Sequence, residues 1–276
     1  LGNAPYIVAV PTELTETVNT AEITWELSKT WATGLKTIAS SRAGSSAPSG
    51  LFTLGVAFDS GKIIDLVQSA AKAVAAKPFK CGDLMDINRS LAETNGKIMF
   101  VPPFARAFRA LDITLTGLSG TGGLMAANPS GHLLLSAENA PLVFEAVKGL
   151  LPMLAALPAL KDDGQPVPLQ FPLPPSIKSP HIGIGKHALG ISFGTGEEKK
   201  LQAILSSGKT SPAPIVGFAY DFDALMKILT LAASEPQAAQ AVKEIMDLGL
   251  SGKASMSLRF TDRGISITSR QVTQKK

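Results

Sequence analysis

Alternating apolar and polar positions are clearest near the end of the chain. Met256, Leu258 and Phe260 share one face of a predicted strand over 254–260, and a second predicted strand follows over 264–270. A short turn that ends in glycine joins the two strands. This pattern predicts a hairpin with one face packed on a core and the other face in water.

A second spacing, with apolar residues three to five positions apart, predicts helices. Asp59 and Asp221 each stand at a predicted helix start, where a carboxylate accepts backbone N–H bonds. We therefore interpret both as helix caps and not as catalytic acids. The predicted helices cover 15–40, 59–74, 83–93, 140–151 and 197–205, and short apolar runs predict strands at 5–10, 51–58, 97–101, 182–184 and 187–193.

A short repeat links two distant parts of the chain. Gly-x-Ala-aromatic-Asp occurs at 55–59 and again at 217–221, and Gly-Leu-Ser-Gly occurs at 117–120 and again at 249–252. Motifs that recur in the same order predict repeated structural units. The predicted fold is therefore α+β, with internally repeated strand–helix–hairpin units and helices layered on a twisted antiparallel sheet.

The repeat also predicts how the chain is divided. A first half covers 1–160 and contains a hairpin over 117–137. A proline-rich crossover covers 161–180, and a second half over 181–276 ends in the hairpin over 254–270. We expect the two halves to form one compact unit.

These elements occur in a recognisable order. In this order of elements the chain resembles a loosely defined group of uncharacterised bacterial secreted or envelope proteins with repeated strand–helix modules. The resemblance is carried by the strand over 5–10, the two Gly-x-Ala-aromatic-Asp strands and the two Gly-Leu-Ser-Gly hairpins. The resemblance covers most of the chain and implies a periplasmic or secreted location in the bacterial cell envelope. A first residue of Leu1 fits a cleaved signal peptide. The group has no established activity, so the resemblance implies neither a substrate nor a cofactor.

Composition narrows the classes of function. Charged residues make up 17% of the chain, against about 25% in average proteins, and the net charge is only +4. Lysines are scattered and aromatic residues make up 6%, so we expect no nucleic-acid partner. Charged residues and prolines interrupt the apolar region 132–160, which excludes a membrane span but leaves association with a membrane surface open.

Candidate catalytic and metal-binding residues are few. Cys81 is the single cysteine, so no internal disulfide or thiolate zinc site can form, and we expect a small packed side chain. His181 and His187 lack a nearby acidic pair in the sequence, so we expect neither a metal nor a cofactor. Ser69 and Lys72 have the serine–lysine spacing of penicillin-recognising enzymes and support a hydrolase hypothesis.

The leading hypothesis is a non-enzymatic envelope or periplasmic protein that binds an unidentified ligand or protein partner. The alternative is a carrier of a lipid or another apolar ligand, because a curved sheet with apolar helices on one face can enclose an apolar pocket. A serine hydrolase is the weaker alternative. The competing interpretation of the apolar segments is a core helix followed by a packed loop. For the carrier, we expect the pocket to be lined by Leu142, Val143, Val147, Leu150, Leu154, Phe171 and Leu173.

Overall fold

An eleven-stranded antiparallel sheet is the centre of the fold. A computed structural model describes residues 6–44, 50–120, 127–150, 157, 160–170, 173–232, 240, 243–244 and 251–273. The strands of these residues are β1 Tyr6–Leu14, β2 Val18–Glu26, β3 Ser41–Ala43, β4 Phe52–Ala57, β5 Phe108–Ser119, β6 Asn128–Ala137, β7 Val167–Pro168, β8 His181–Ile184, β9 Ala188–Phe193, β10 Thr210–Pro212, β11 Val216–Asp221, β12 Lys253–Thr261 and β13 Gly264–Val272.

Six α-helices lie within the described residues, together with a short 3-10 helix over Pro103–Ala107. The prediction of an α+β fold with a large antiparallel sheet is therefore confirmed. None of the described helices is long and apolar enough to cross a membrane. The helices are α1 Lys29–Thr37, α2 Ser60–Ala76, α3 Gly82–Ile98, α4 Ala140–Leu150, α5 Glu197–Ser207 and α6 Phe222–Ala232.

The strand order runs β1-β2-β13-β12-β11-β4-β5-β6-β9-β8-β7, and β3 pairs with β10 in a separate two-stranded ribbon. The two Gly-x-Ala-aromatic-Asp strands, β4 and β11, are direct neighbours, and Gly55 lies opposite Gly217 in their register. A Cβ atom at Gly55 would lie 3.0 Å from Arg42 Nη1, and one at Gly217 would lie 2.9 Å from Pro214 Cγ. At Gly55 the nearest atom to such a Cβ belongs to the carboxylate of Asp112 on the neighbouring strand, so glycine avoids a close contact at both positions.

One face of the sheet, the apolar face, carries rows of aliphatic side chains from strand to strand. Phe144 of α4 packs on this face against Ile182 and Ile184 of β8. At the other end of the sheet the face is open, since Ile23 and Trp25 of β2 are 45% and 48% exposed. The best-aligned row is Ile23, Ile267, Leu258, Val216, Val56, Leu111, Leu135, Leu189 and Ile184.

The opposite face, the polar face, is not the water-facing surface that alternation predicts. Leu201 and Leu205 of α5 pack on Leu134 and Ala188 of this face, and the β3–β10 ribbon also covers part of it. Covering elements therefore bury hydroxyl, imidazole and carboxyl groups that the sequence pattern places in solvent. Among the described residues, the buried polar side chains of the main sheet all belong to this face: Thr24, Thr53, Asp112, Thr114, His132, Ser136, Ser192 and Ser266.

The predicted helix over 15–40 is wrong in its first part. The chain instead forms β2 and then α1, which begins at Lys29. Threonine and β-branched residues are frequent over 15–24, and they favour strands. Pairing of β2 with both β1 and β13 then overrides the helical spacing.

Three further sequence predictions are corrected. The predicted strand over 97–101 is wrong because α3 continues through Ile98. The predicted hairpin over 117–137 begins earlier, because β5 pairs with β6 from Phe108 onward. The two Gly-Leu-Ser-Gly copies also differ in position: the first lies at the end of β5, and the second ends just before β12. Cys81 is exposed at the N-terminus of α3 instead of being packed, because it precedes the helix in an uncovered turn.

Candidate functional site

A cavity of about 530 Å³ lies between the polar face and the elements that cover it. This polar cavity falls within the usual size range of small-molecule sites. Strands β4, β5 and β6 supply its floor, β3 crosses over one side, and α5 forms the opposite wall. Its lining includes polar Arg42, Thr53, Asp112, Thr114, Thr116, His132 and Lys200, and apolar Leu134, Ala203 and Ile204.

A buried ion pair occupies one side of the polar cavity. Arg42 donates from Nη1 to Asp112 Oδ1 at 2.6 Å, and the two side chains are only 10% and 7% exposed. The backbone N–H of Ala43 donates to Ser136 Oγ at 3.0 Å, which fixes β3 on the sheet and so positions Arg42. Burial raises the pKa of Asp112, and the positive charge of Arg42 opposes that rise.

His132 and Glu197 stand together on the other side. His132 Nδ1 lies 3.8 Å from Glu197 Oε2, which is beyond hydrogen-bond distance, and the side chains are 8% and 5% exposed. Burial lowers the pKa of His132, and the nearby Glu197 opposes that change. We therefore expect a neutral imidazole at pH 7, one that can donate from one ring nitrogen and accept at the other.

Local structure explains why Glu197 points toward the sheet. Glu197 is the first residue of α5, where a carboxylate is favoured by the helix dipole, and Gly196 before it has a left-handed φ of 83°. Thr116 is the extra residue of a β-bulge in β5 and donates to Glu197 Oε1 at 2.7 Å. Lys200, one turn along α5, donates to the same oxygen at 2.7 Å.

These groups suit the recognition of a neutral, hydrogen-bonding molecule. The two cations, Arg42 and Lys200, are matched by the carboxylates of Asp112 and Glu197, so the site has no strong net charge. Within the described residues, Asp112 Oδ2 and His132 Nδ1 have no hydrogen-bond partner. Both residues line the polar cavity, so it has unused hydrogen-bonding capacity next to it.

Two smaller cavities of about 160 Å³ each adjoin the polar cavity on the same face. Thr53 lines all three cavities. Among the described residues there is no group of three or more His, Cys, Asp or Glu side chains that could hold a metal ion.

The chain matches no protein-family model, no curated protein and no solved structure. Its own side chains therefore have to indicate what it binds.

The residues predicted to line an apolar pocket lie elsewhere. On α4, Leu142 and Leu150 are 64% and 62% exposed, while Val143 packs against the core around Phe144. Val147 and Leu173 are partly buried, and Leu154 and Phe171 lie outside the described residues. Of the five residues that the structure describes, none lines the three cavities on the polar face.

The residues of the hydrolase hypothesis are also separate from the cavity. Ser69 and Lys72 are exposed on α2. The ring Nδ1 atoms of His181 and His187 lie 2.9 Å and 3.1 Å from the backbone carbonyl oxygens of Ser179 and Glu138, respectively. His132 lies inside β6 and lines the polar cavity.

Sequence reasoning missed the residues of the polar cavity. The sequence does contain one signal for Asp112. This single charged residue lies between Ala110 and Thr114 on the same face of a strand. An isolated charge between small residues indicates that another element covers that face of the strand. No comparable signal existed for Arg42, which lies in a stretch of small residues that is typical of a loop. Its role depends on the folding of β3 over a distant strand.

Proposed function

We propose that this protein is a non-enzymatic binding protein that holds a small, neutral, hydrogen-bonding molecule in the polar cavity. The observation that carries this proposal is that Arg42, Asp112 and His132, whose side chains are each about nine-tenths buried, line a volume of about 530 Å³. Burying such groups costs free energy unless they are paired or used. A ligand rich in hydroxyl or N–H groups would satisfy the acceptors that the protein leaves without a partner.

Binding fits these groups better than catalysis. Asp112 is held by Arg42, and Glu197 is held by both Thr116 and Lys200. A general base or nucleophile needs a poised partner aimed at the reacting atom. Here the charged groups are engaged with one another, which suits a rigid recognition surface.

We also infer that the chain consists of two related units, a finer version of the predicted repeat. Outward from the central β4–β11 pair, the strand order is β4-β5-β6-β9-β8 on one side and β11-β12-β13-β2-β1 on the other. A helix follows β4 and another follows β11, as α2 and α6. Asp59 and Asp221 cap these helices through hydrogen bonds of 3.0 Å and 2.9 Å, as predicted.

The inferred repeat provides an internal comparison for the polar cavity. Gly55 pairs with Asp112 in one unit, and Gly217 pairs with Ser257 in the other. By the same registers, the position of His132 corresponds to Ser266. Small hydroxyl side chains therefore occupy the matching positions of the second unit. The buried acid and imidazole are not required by the shape of the sheet, which supports a role in binding.

Thermal unfolding in the presence of a library of monosaccharides, polyols and small amides tests the proposal. We expect at least one member to raise the Tm, since a ligand at 100 times its Kd stabilises by about 2.7 kcal/mol. Thr114→Val removes a hydroxyl from the cavity and should abolish the gain. Thr268→Val, on the polar face outside the cavity, is the matched control and should retain it.

Two results would overturn the binding proposal. One is a library without any stabilising member, and the other is a gain that Thr114→Val and Thr268→Val retain equally. If the protein converts a stabilising molecule into a product, the protein is an enzyme and the proposal of a non-enzymatic role is wrong.

A second candidate function, a carrier of an apolar ligand, is favoured by the apolar face. Ile23, Trp25, Val216 and Met256 are between 39% and 48% exposed on this face, next to rows of aliphatic side chains. Exposed contiguous apolar surface is typical of binding sites. The sheet, and not α4, is the better candidate for the lining.

Native mass spectrometry of the purified protein, with an organic extract of the same sample, tests this second candidate. A bound lipid should appear as an extra mass, and Ile23→Ser with Trp25→Ser should remove it. Leu142→Ser on α4 is the matched control. A protein that carries no extra mass after purification from lipid-containing cells would count against the carrier.

A further inference from the structure

We infer that the polar cavity is one end of an elongated binding groove for a linear hydroxylated chain with an anionic group at one end, the chemistry of a short oligosaccharide acid. This inference rests on the proposed function: a neutral, hydroxylated part of the ligand lies in the polar cavity, and the anionic group lies outside that cavity at the far end of the groove. Three independent features carry it: the shape of the groove, the charge at its far end and the groups on its floor.

The floor of the groove is a single cross-strand row on the polar face. Neighbouring strands are about 4.8 Å apart, so the five steps of this row span about 24 Å. A row of this length fits an extended ligand and is longer than a single sugar ring. In register order the row is Arg270, Ser255, Ala219, Thr53, Thr114 and His132.

The three cavities on this face lie side by side along the row and share lining residues. The cavity nearest β13 contacts Arg270, Ser255 and Ala219, and it meets the polar cavity at Thr53 and Gly50. The third cavity shares Thr53 with both. Among the described residues, a chain bound in the polar cavity therefore meets the lining of the next cavity directly as it extends toward β13.

The far end of the groove is cationic. Lys253 and Arg270 line it, and their side chains are 65% and 52% exposed. Their acidic neighbours, Asp221 and Glu13, lie 3.7 Å away, compared with 2.7 Å between Lys200 and Glu197. Because hydrogen-bonded ion pairs are near 2.8 Å, these two cations can take an additional anionic partner.

The floor favours hydroxyl groups over peptide groups. The groups that it offers to a ligand belong to side chains on the face of the sheet. The backbone of each of these strands is already hydrogen-bonded to a neighbouring strand on either side. An extended peptide gains main-chain hydrogen bonds at a sheet edge, which this face does not offer. Ligand hydroxyls can donate and accept at once, so they match threonine hydroxyls, a carboxylate and a neutral imidazole.

Isothermal titration of four matched probes tests the inference. The probes are maltotetraose and cellotetraose, each prepared as the terminal aldonate and as the neutral alditol of the same length. We expect at least one aldonate to bind about tenfold more tightly than its alditol, the gain of one charge-assisted hydrogen bond. Lys253→Gln combined with Arg270→Gln should remove that difference, so that the aldonate binds no more tightly than its alditol.

A control variant separates the two ends of the groove. Thr114→Val should weaken the aldonate and the alditol alike. Equal binding of both forms, or an advantage of the aldonate that survives the double substitution, would overturn the inference. If a monosaccharide from the library stabilises the protein while no tetrasaccharide binds, the groove is wrong and the proposed function stands. If nothing binds, both fail.

Discussion

At the scale of single residues, the Arg42–Asp112 pair is the most demanding feature of the polar cavity. The pair is buried, so removing one partner leaves an uncompensated charge. We predict that Arg42→Met lowers the free energy of unfolding by about 3–5 kcal/mol. Chemical denaturation at pH 7 measures the change.

The double variant Arg42→Met with Asp112→Leu is the control for this prediction. It removes both charges and should recover most of the stability, since an apolar pair of similar size is often neutral. The pKa of Asp112 is already raised by burial, so the deficit of Arg42→Met should shrink as the pH falls toward about 4 and the carboxyl takes up a proton. A deficit that is equal in the single and double variants would show that the ion pair is not its cause.

His132 should make stability depend on pH. Its pKa is lowered by burial, so the unfolded chain binds a proton below about pH 6.5 that the folded protein does not bind. Stability is therefore fully present above that pH and is lost as the pH falls toward the lowered pKa, by up to about 1.4 kcal/mol per pH unit. Unfolding of wild type and His132→Gln between pH 7 and 5 measures this, and parallel curves would contradict the assignment.

Residue-scale prediction from sequence succeeded where the cause is local. Asp59 and Asp221 cap helices because a carboxylate next to a helix start finds free N–H groups within three residues. Arg42 and Asp112 meet only after residues 70 positions apart have folded onto each other. No local pattern encodes such a contact.

At the scale of elements, the close passage of β3 over β4 is what creates the polar cavity. Gly55 lies directly under the Arg42–Asp112 pair, where a Cβ atom would meet the Asp112 carboxylate. We predict that Gly55→Ala destabilises the protein by about 1–3 kcal/mol through overpacking. Thermal unfolding measures the change.

Gly34→Ala is the matched control for Gly55→Ala. Gly34 lies inside α1, and a Cβ atom there would contact nothing within 4 Å. Alanine is the better helix former, so this substitution should stabilise by up to about 1 kcal/mol. The same small effect from both substitutions would show that β3 does not press on β4 as described.

Elements were predictable where one periodicity dominates. The hairpin of β12 and β13 and the helices α2, α4 and α5 follow their hydrophobic spacing closely. The strand β2 was missed because its apolar residues also fit a helical spacing, and pairing with β1 and β13 decided the outcome. The polar face was misread because alternation alone cannot show that a helix will cover the hydrophilic side.

At the scale of the whole molecule, the sequence predicted the fold class, α+β with an antiparallel sheet, but not the order of the strands. The repeated Gly-x-Ala-aromatic-Asp strands became the neighbouring pair β4 and β11. The Gly-Leu-Ser-Gly match was misleading, because its first copy ends β5 and its second copy ends just before β12. A short motif indicates a repeat reliably only when both copies occupy the same place in the topology.

The central claim, that the polar cavity holds the ligand, is tested most directly by NMR of ¹⁵N-labelled histidine side chains. The chain has only three histidines, so the spectrum is simple, and His132→Gln assigns the cavity signal. We predict that the aldonate and alditol tetrasaccharides, or a stabilising library member, shift the His132 ring signals and leave those of His181 and His187 in place. Saturable binding without any change at His132 would contradict the account.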